Sequence, residues 1–123
     1  MTIMRDLTKA EEQIMQVLWQ KGPCFVKEII PDLPDPRPAY STTSTIVRIL
    51  QEKGFVSHKA YGPTHQYFPI VSKEDYSHFT MKKMLNNYFD GSMKKMVSFF
   101  SSKEKMDVKE VEEILELLKK MQK

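Results

Sequence analysis

Side chains able to hydrogen-bond a partner crowd into one short stretch: Ser41, Thr42, Ser44, Thr45 and Arg48. On a helix turning about 100° per residue, Ser41, Ser44, Thr45 and Arg48 share one face, and Thr43, Ile46, Val47 and Leu50 share the opposite one. Short hydroxyl side chains let a helix approach another surface closely, and they reach phosphate oxygens or base edges. Arg48 adds a forked guanidinium that suits a guanine edge or a phosphate. Ser41 and Thr42, near the start of the helix, can offer hydroxyls and backbone N–H groups to phosphate. This is the chemistry of a helix lying in the major groove of DNA. A solvated helix face would show the same residues, so the decision rests on what surrounds them.

The surroundings favour DNA. The chain carries a formal charge of only +3, too small for nucleic-acid binding to rest on net charge. Its distribution is uneven, however: between Pro36 and Gln66, Arg37, Arg48, Lys53 and Lys59 face Glu52 alone, with His58 and His65 in the same stretch. Lys59 falls near the tip of an expected hairpin, where it can touch the DNA backbone or minor groove.

Other chemistries find little support. His58, His65 and His78 invite a metal reading, but no third ligand accompanies the first two, so no metal is expected. Cys24 is the single cysteine, which rules out an intrachain disulfide and a cysteine-rich metal site. It reads as a half-buried small residue. No glycine-rich phosphate loop, nucleophile elbow or His-Glu-x-x-His helix occurs, so neither an enzyme nor a cofactor is expected.

The elements that must hold this face follow from caps, periodicity and breakers. Thr8-Lys9-Ala10-Glu11 reads as a capping box. Ala10, Ile14, Val17 and Leu18 then recur on one side of a first helix, which Gly22-Pro23 stops. A second helix over 25–33 turns Val26, Ile29, Ile30 and Leu33 inward, with Pro31 awkward near its end. The run Pro34-Asp35-Pro36-Arg37-Pro38 is an extended turn. The third helix covers 41–53 and ends at Gly54. Strands over 55–60 and 64–68 form a β-hairpin around Tyr61-Gly62-Pro63. Helix, helix, helix, hairpin is the order of a winged helix-turn-helix, with the third helix as reader and the hairpin as wing.

Beyond the wing the pattern is helical. Ser72-Lys73-Glu74-Asp75 opens a helix whose apolar side is Tyr76, Phe79, Leu85, Tyr88 and Phe89, broken at Asp90-Gly91. A short helix over 92–100 carries Met93, Met96, Val97 and Phe100, and residues 101–105 read as polar and exposed. A capping box at Asp107-Val108-Lys109-Glu110 starts a last helix bearing Val111, Ile114, Leu115, Leu118 and Met121. Three short amphipathic helices make a poor core alone, and a second copy would complete it. Met81, Met84, Met93, Met96, Met106 and Met121 cluster here, as a helical core or an adaptable interface would have them. The fold class expected is mainly α with a small β-hairpin: a winged-helix DNA-binding domain over 1–71 and a helical dimerisation domain over 72–123. With 41% hydrophobic and 28% charged residues and no apolar run near the ~18 residues of a membrane span, a cytoplasmic protein without membrane insertion is expected.

Several stretches together resemble one known family. Leu7-Thr8-Lys9-Ala10-Glu11 through Val17-Leu18-Trp19 is similar to the first helix of the penicillinase repressors. The segment from Tyr40 to Leu50, followed by Lys53-Gly54-Phe55-Val56, resembles their recognition helix. Tyr67-Phe68-Pro69-Ile70-Val71-Ser72-Lys73-Glu74-Asp75-Tyr76 resembles their exit from the wing. The resemblance implies a homodimeric transcriptional repressor on a palindromic double-stranded DNA operator of the TACA-x-TGTA type, controlling β-lactam (antibiotic) resistance genes or, in one branch, copper transport. The paired Cys-x-Cys motifs of the copper branch are missing here. In the β-lactam branch a membrane sensor-protease pathway leads to cleavage at an Asn-Phe bond, which breaks the dimer; the matching pair here is Ser98-Phe99. The rival to this whole reading is a winged-helix adaptor that binds protein and never DNA.

Overall fold

A computed structural model of the chain describes residues 4–105 and 107–121. Met106, counted above among the clustered methionines, lies outside the described residues, as do the first three residues of the chain. Two compact units are present, the first running through Met81 and the second beginning at Lys82.

In the first unit, α1 spans Lys9–Lys21 and begins on the expected capping box. Glu11 N–H donates to Thr8 Oγ1 at 3.2 Å, and Thr8 N–H donates to Glu11 Oε1 at 2.8 Å. Each side chain satisfies a donor that the first helical turn would otherwise leave open. Ile14, Met15, Val17 and Leu18 are buried. Ala10 is exposed, contrary to the expectation, because the inward stripe begins at Glu11 instead. Gly22, at φ 82°, ends the helix in a conformation that costs a side-chain-bearing residue dearly.

The expected second helix is broken up. Cys24–Phe25 form a two-residue strand β1, α2 covers only Val26–Ile29, and a 3₁₀ turn over Ile30–Asp32 follows. Pro31 sits in the first turn of that 3₁₀ segment, where its missing N–H costs nothing. Val26, Ile29 and Leu33 face the core as expected, and Ile30 is half-buried.

Next come α3, Tyr40–Glu52, and strands β2, Val56–Tyr61, and β3, Thr64–Pro69. The hairpin is therefore part of a three-stranded antiparallel sheet of order β1-β3-β2, not a free pair. Cys24 pairs with Tyr67 and Phe25 with Gln66, while Val56 through Tyr61 pair with Pro69 through Thr64. The added strand anchors the base of the wing to the helical core. Phe55, Val56, Val47, Leu50, Ile14, Met15, Leu18 and Ile29 form the centre of that core.

Helix α4, Lys73–Tyr88, starts at Ser72, whose Oγ accepts from Asp75 N–H at 3.0 Å. Its first turns pack on the first unit. Tyr76 is buried against Phe55 at 5.6 Å between ring centroids, and its hydroxyl accepts from Leu7 N–H at 3.0 Å. Trp19 Nε1 donates to Val71 O at 2.9 Å, closing the same corner. Replacing Tyr76 by Phe keeps the ring and removes only the acceptor for Leu7. Urea unfolding is expected to show a loss of about 1 kcal/mol; no loss would mean the bond contributes nothing net.

In the second unit, α5 spans Met93–Lys103 and α6 spans Val108–Met121. Helix α5 runs past the expected end at Phe100. Ser101 and Ser102 continue it, their hydroxyls donating to Val97 O and Phe99 O at 2.9 and 2.8 Å. The polar stretch is exposed as expected, but its first three residues are helical. Asp107 Oδ1 accepts from Lys109 N–H at the start of α6. On α6, Val111, Ile114 and Leu118 are half-buried, whereas Val108, Leu115, Leu117 and Met121 are exposed. No helix among the described residues is long and apolar enough to cross a membrane.

Candidate nucleic-acid interface

The residues singled out in the sequence come together on α3 and the wing. Ala39, in extended backbone, is the N-cap of α3 and supplies no side-chain cap. Thr43 is fully buried, and its hydroxyl donates to Ala39 O at 3.0 Å, so an inward-facing polar group is satisfied within its own turn. Val47 and Leu50 continue this inner face. Ser41, Thr42, Thr45 and Arg48 are exposed and Ser44 is half-buried. Thr45 Oγ1 donates to Ser41 O at 2.9 Å, leaving its oxygen free to accept but its proton engaged. The outer face of α3 is thus built of hydroxyls and one guanidinium over a rigid inner face.

The wing turns on Gly62-Pro63, the two residues between the Tyr61–Thr64 pair. Gly62 has φ 61°, the positive value that the first position of such a tight hairpin turn requires, and Pro63 fits the second. Lys59 is exposed on β2, with its ammonium 5.3 Å from the centre of the Tyr61 ring. That contact holds the charge near the wing tip.

His58 and His65 stack, with ring centroids 4.1 Å apart and planes 10° from parallel. His58 Nδ1 donates to Gln51 Oε1 at 2.7 Å, which ties the wing to the last turns of α3. Tyr67 lies beside both rings. Among the described residues no group of three or more His, Cys, Asp and Glu side chains is placed to hold a metal. His78 stands on α4, in another part of the first unit.

Two features were not anticipated. The first is an ion pair between Glu11 Oε1 and Lys53 Nζ at 2.7 Å, which joins α1 to the end of α3. Burial pushes the Glu11 carboxyl up, but the Lys53 ammonium and the Thr8 N–H outweigh it and hold the group below its usual 4.5. The second is a cleft of about 370 Å³ between α3 and the wing. Tyr40 lines it together with Ser44 and Arg48, and its spacing from them (i, i+4, i+8) was the signal available in the sequence. Tyr67 closes it from the wing; burial pushes its phenol up, with the Arg48 charge opposing.

Cys24 is fully buried in β1, not half-buried, because β1 joins the sheet. Burial, and then the Glu28 charge, push its thiol up, which disfavours the thiolate. The Ser98-Phe99 bond lies within α5. Phe99 is exposed, with its ring 5.6 Å from that of Phe89 and the Lys103 ammonium 5.9 Å away.

Comparison with known proteins agrees with this architecture. The solution structure of the DNA-binding domain of the repressor BlaI superposes with a TM-score of 0.53 at 26% identity, covering 62% of this chain and 94% of that one. The methicillin resistance regulatory protein MecI of Mammaliicoccus sciuri is 28% identical over 116 residues, 94% of each chain. The penicillinase repressor of Bacillus licheniformis is 25% identical over 114 residues, 92% of this chain and 89% of its own. The sequence profile described as "Penicillinase repressor" matches residues 7–120. The chain belongs to the penicillinase repressor family, a family of repressors and not of enzymes.

Proposed function

We propose that this protein is a cytoplasmic, homodimeric transcriptional repressor that reads a palindromic operator of β-lactam resistance-type genes. The observation that carries the reading is the outer face of α3: exposed Ser41, Thr42, Thr45 and Arg48 beside a wing with Lys59 exposed near its tip. Arg48 makes the specific contact to a base edge, Ser44 and Thr45 approach the groove, Ser41 and Thr42 take phosphate, and Lys59 steadies the wing. Residues 1–71 bind DNA and residues 72–123 pair the copies, placing two reading helices about one DNA turn (~34 Å) apart. Loss of the dimer releases DNA because each half-site alone binds weakly. The family relation and the BlaI fold support this assignment.

Release through a membrane sensor-protease pathway would act at Ser98-Phe99. A protease needs an extended substrate, so α5 must open locally first. Phe99 O accepts the Ser102 hydroxyl, and Ser98 O shares the Ser101 hydroxyl proton with Val97 O, in addition to their place in the helix. An intact dimer after β-lactam induction in the native host would exclude this route.

The test is binding of the purified chain to a labelled duplex of its own upstream region, beside a scrambled duplex, over a salt series. Tight, salt-sensitive and sequence-selective binding is expected. Arg48→Ala should cost about 1–3 kcal/mol, or roughly 5- to 150-fold, on the operator and much less on the scrambled duplex. No preference for any duplex at low salt would overturn the reading and leave the protein-adaptor alternative in its place.

A further inference from the structure

The cleft between α3 and the wing has a lining unlike that of the neighbouring surface. It holds Lys27 from α2, Tyr40 and Arg48 from α3, and Thr64, His65 and Tyr67 from the wing, and no carboxylate. Glu28, the nearest acid on α2, is turned back to accept from Phe25 N–H at 2.9 Å. The adjoining hollow on the other side of Arg48, by contrast, is lined in part by Glu52. Tyr67 is 5% exposed and lines both, and its hydroxyl makes no hydrogen bond to another described residue. Among the described residues no buried side-chain polar atom lacks a partner, so the Tyr67 hydroxyl opens to solvent at the cleft, where it can donate to a bound acceptor.

Topology says which acceptor. A helix seated in the major groove and a wing reaching the backbone or minor groove straddle one strand of the duplex. The phosphates of that strand have to pass between them, and the cleft is the space between them. Cations and hydroxyls without a competing carboxylate are what a phosphodiester needs.

We propose that the cleft seats a backbone phosphate of the operator, held by the Lys27 ammonium and the hydroxyl of Tyr40, with Tyr67 donating from the floor; the Thr64 hydroxyl is already given to Tyr61 O. Lys27 and Tyr40 are then positioning contacts that set the register from which Arg48 reads. The assignment rests on the DNA-binding reading above and adds to it residues from α2 and from the first turn of α3.

The experiment compares the full chain with Lys27→Ala, Lys27→Arg and Tyr40→Phe on operator and scrambled duplexes across a salt series. Lys27→Ala is expected to weaken both duplexes by a similar factor, about tenfold, and to lower the salt slope by about one per cleft. Lys27→Arg should restore the slope, and Tyr40→Phe should weaken both duplexes several-fold with the slope unchanged. Failure of the unaltered chain to bind any duplex would overturn the DNA reading and this seat together. Normal binding by Lys27→Ala with an unchanged slope would overturn the seat alone. So would a loss confined to the operator, because a phosphate contact carries no sequence. Inorganic phosphate, titrated at constant ionic strength, should not compete at millimolar concentration. Competition that Lys27→Ala abolishes would reassign the cleft to a free small anion.

Discussion

Leu115→Gln with Leu117→Gln is expected to turn the protein into a monomer and to weaken binding to a two-half-site operator by about 10²- to 10⁴-fold. Both leucines are more than half exposed on α6, at 52% and 60%. They lie about 160° apart around α6 and flank the half-buried stripe of Val111, Ile114 and Leu118. Val108 is exposed beside Leu115 and Met121 beside Leu117, and within one chain nothing among the described residues covers these edges. Burying each leucine against a second copy would stabilise a dimer by roughly 1.5–3 kcal/mol, and a two-fold interface would count every substitution twice. Gln keeps the chain's charge and its helix propensity, so neither long-range attraction to DNA nor the helix itself changes. The measurements are molecular mass by sedimentation and operator binding by anisotropy. Urea unfolding followed through Trp19, which belongs to the first unit, serves as the control for folding. A variant that still sediments as a dimer would place the interface elsewhere. A monomer that binds the full operator as tightly as the unaltered chain would remove dimerisation from the mechanism.

Whether a feature could be read from the sequence depended on how far apart its parts lie. The Thr8–Glu11 capping box, the Gly22 and Gly54 stops and the two faces of α3 are local, so spacing alone carried them. At Ser72 only the one-way bond from Asp75 N–H forms, and Asp107 accepts from Lys109 N–H instead of Glu110. Strand β1 was missed because two residues are too few to show alternation and their partners, Tyr67 and Gln66, lie more than forty positions on. The end of α5 was misplaced for another reason. Serines are as common in loops as on exposed helix faces, and what keeps Ser101 and Ser102 helical is where their hydroxyls go. The same division holds at the site. The polar outer face of α3 was legible, whereas the cleft was not, because it gathers Lys27, Tyr40 and Tyr67 from three separate segments. Glu11 shows both cases in one side chain. Its bond to Thr8 was evident from a spacing of three, and its bond to Lys53 spans 42 positions.

That second bond carries the other large expected effect. Lys53→Met should destabilise the first unit by about 3–5 kcal/mol at pH 7, since it leaves the Glu11 carboxylate buried with only Thr8 N–H to answer it. Glu11 is 5% exposed at its side chain and Lys53 20%, so the partial access of water at Lys53 puts the lower end of that range first. Adding Glu11→Gln removes the stranded charge and should recover part of the loss, and the double-mutant cycle isolates the coupling. The pH dependence has a definite sign. Glu11 is held below 4.5 in the folded chain, so the pair's contribution is fully present above that value and fades as pH falls through the folded one. In Lys53→Met only Thr8 still opposes burial, so the carboxyl shifts upward from its place in the unaltered chain and the variant gains relative to that chain on acidification. The two unfolding curves should therefore be far apart at pH 7 and draw together towards pH 4. A gap that stays constant with pH would mean that Lys53 stabilises through its aliphatic stem and not its charge. Because Lys53 is the C-cap of α3, the same pair fixes the far end of α3 against α1. Operator affinity should therefore fall in Lys53→Met by more than its folded fraction alone accounts for.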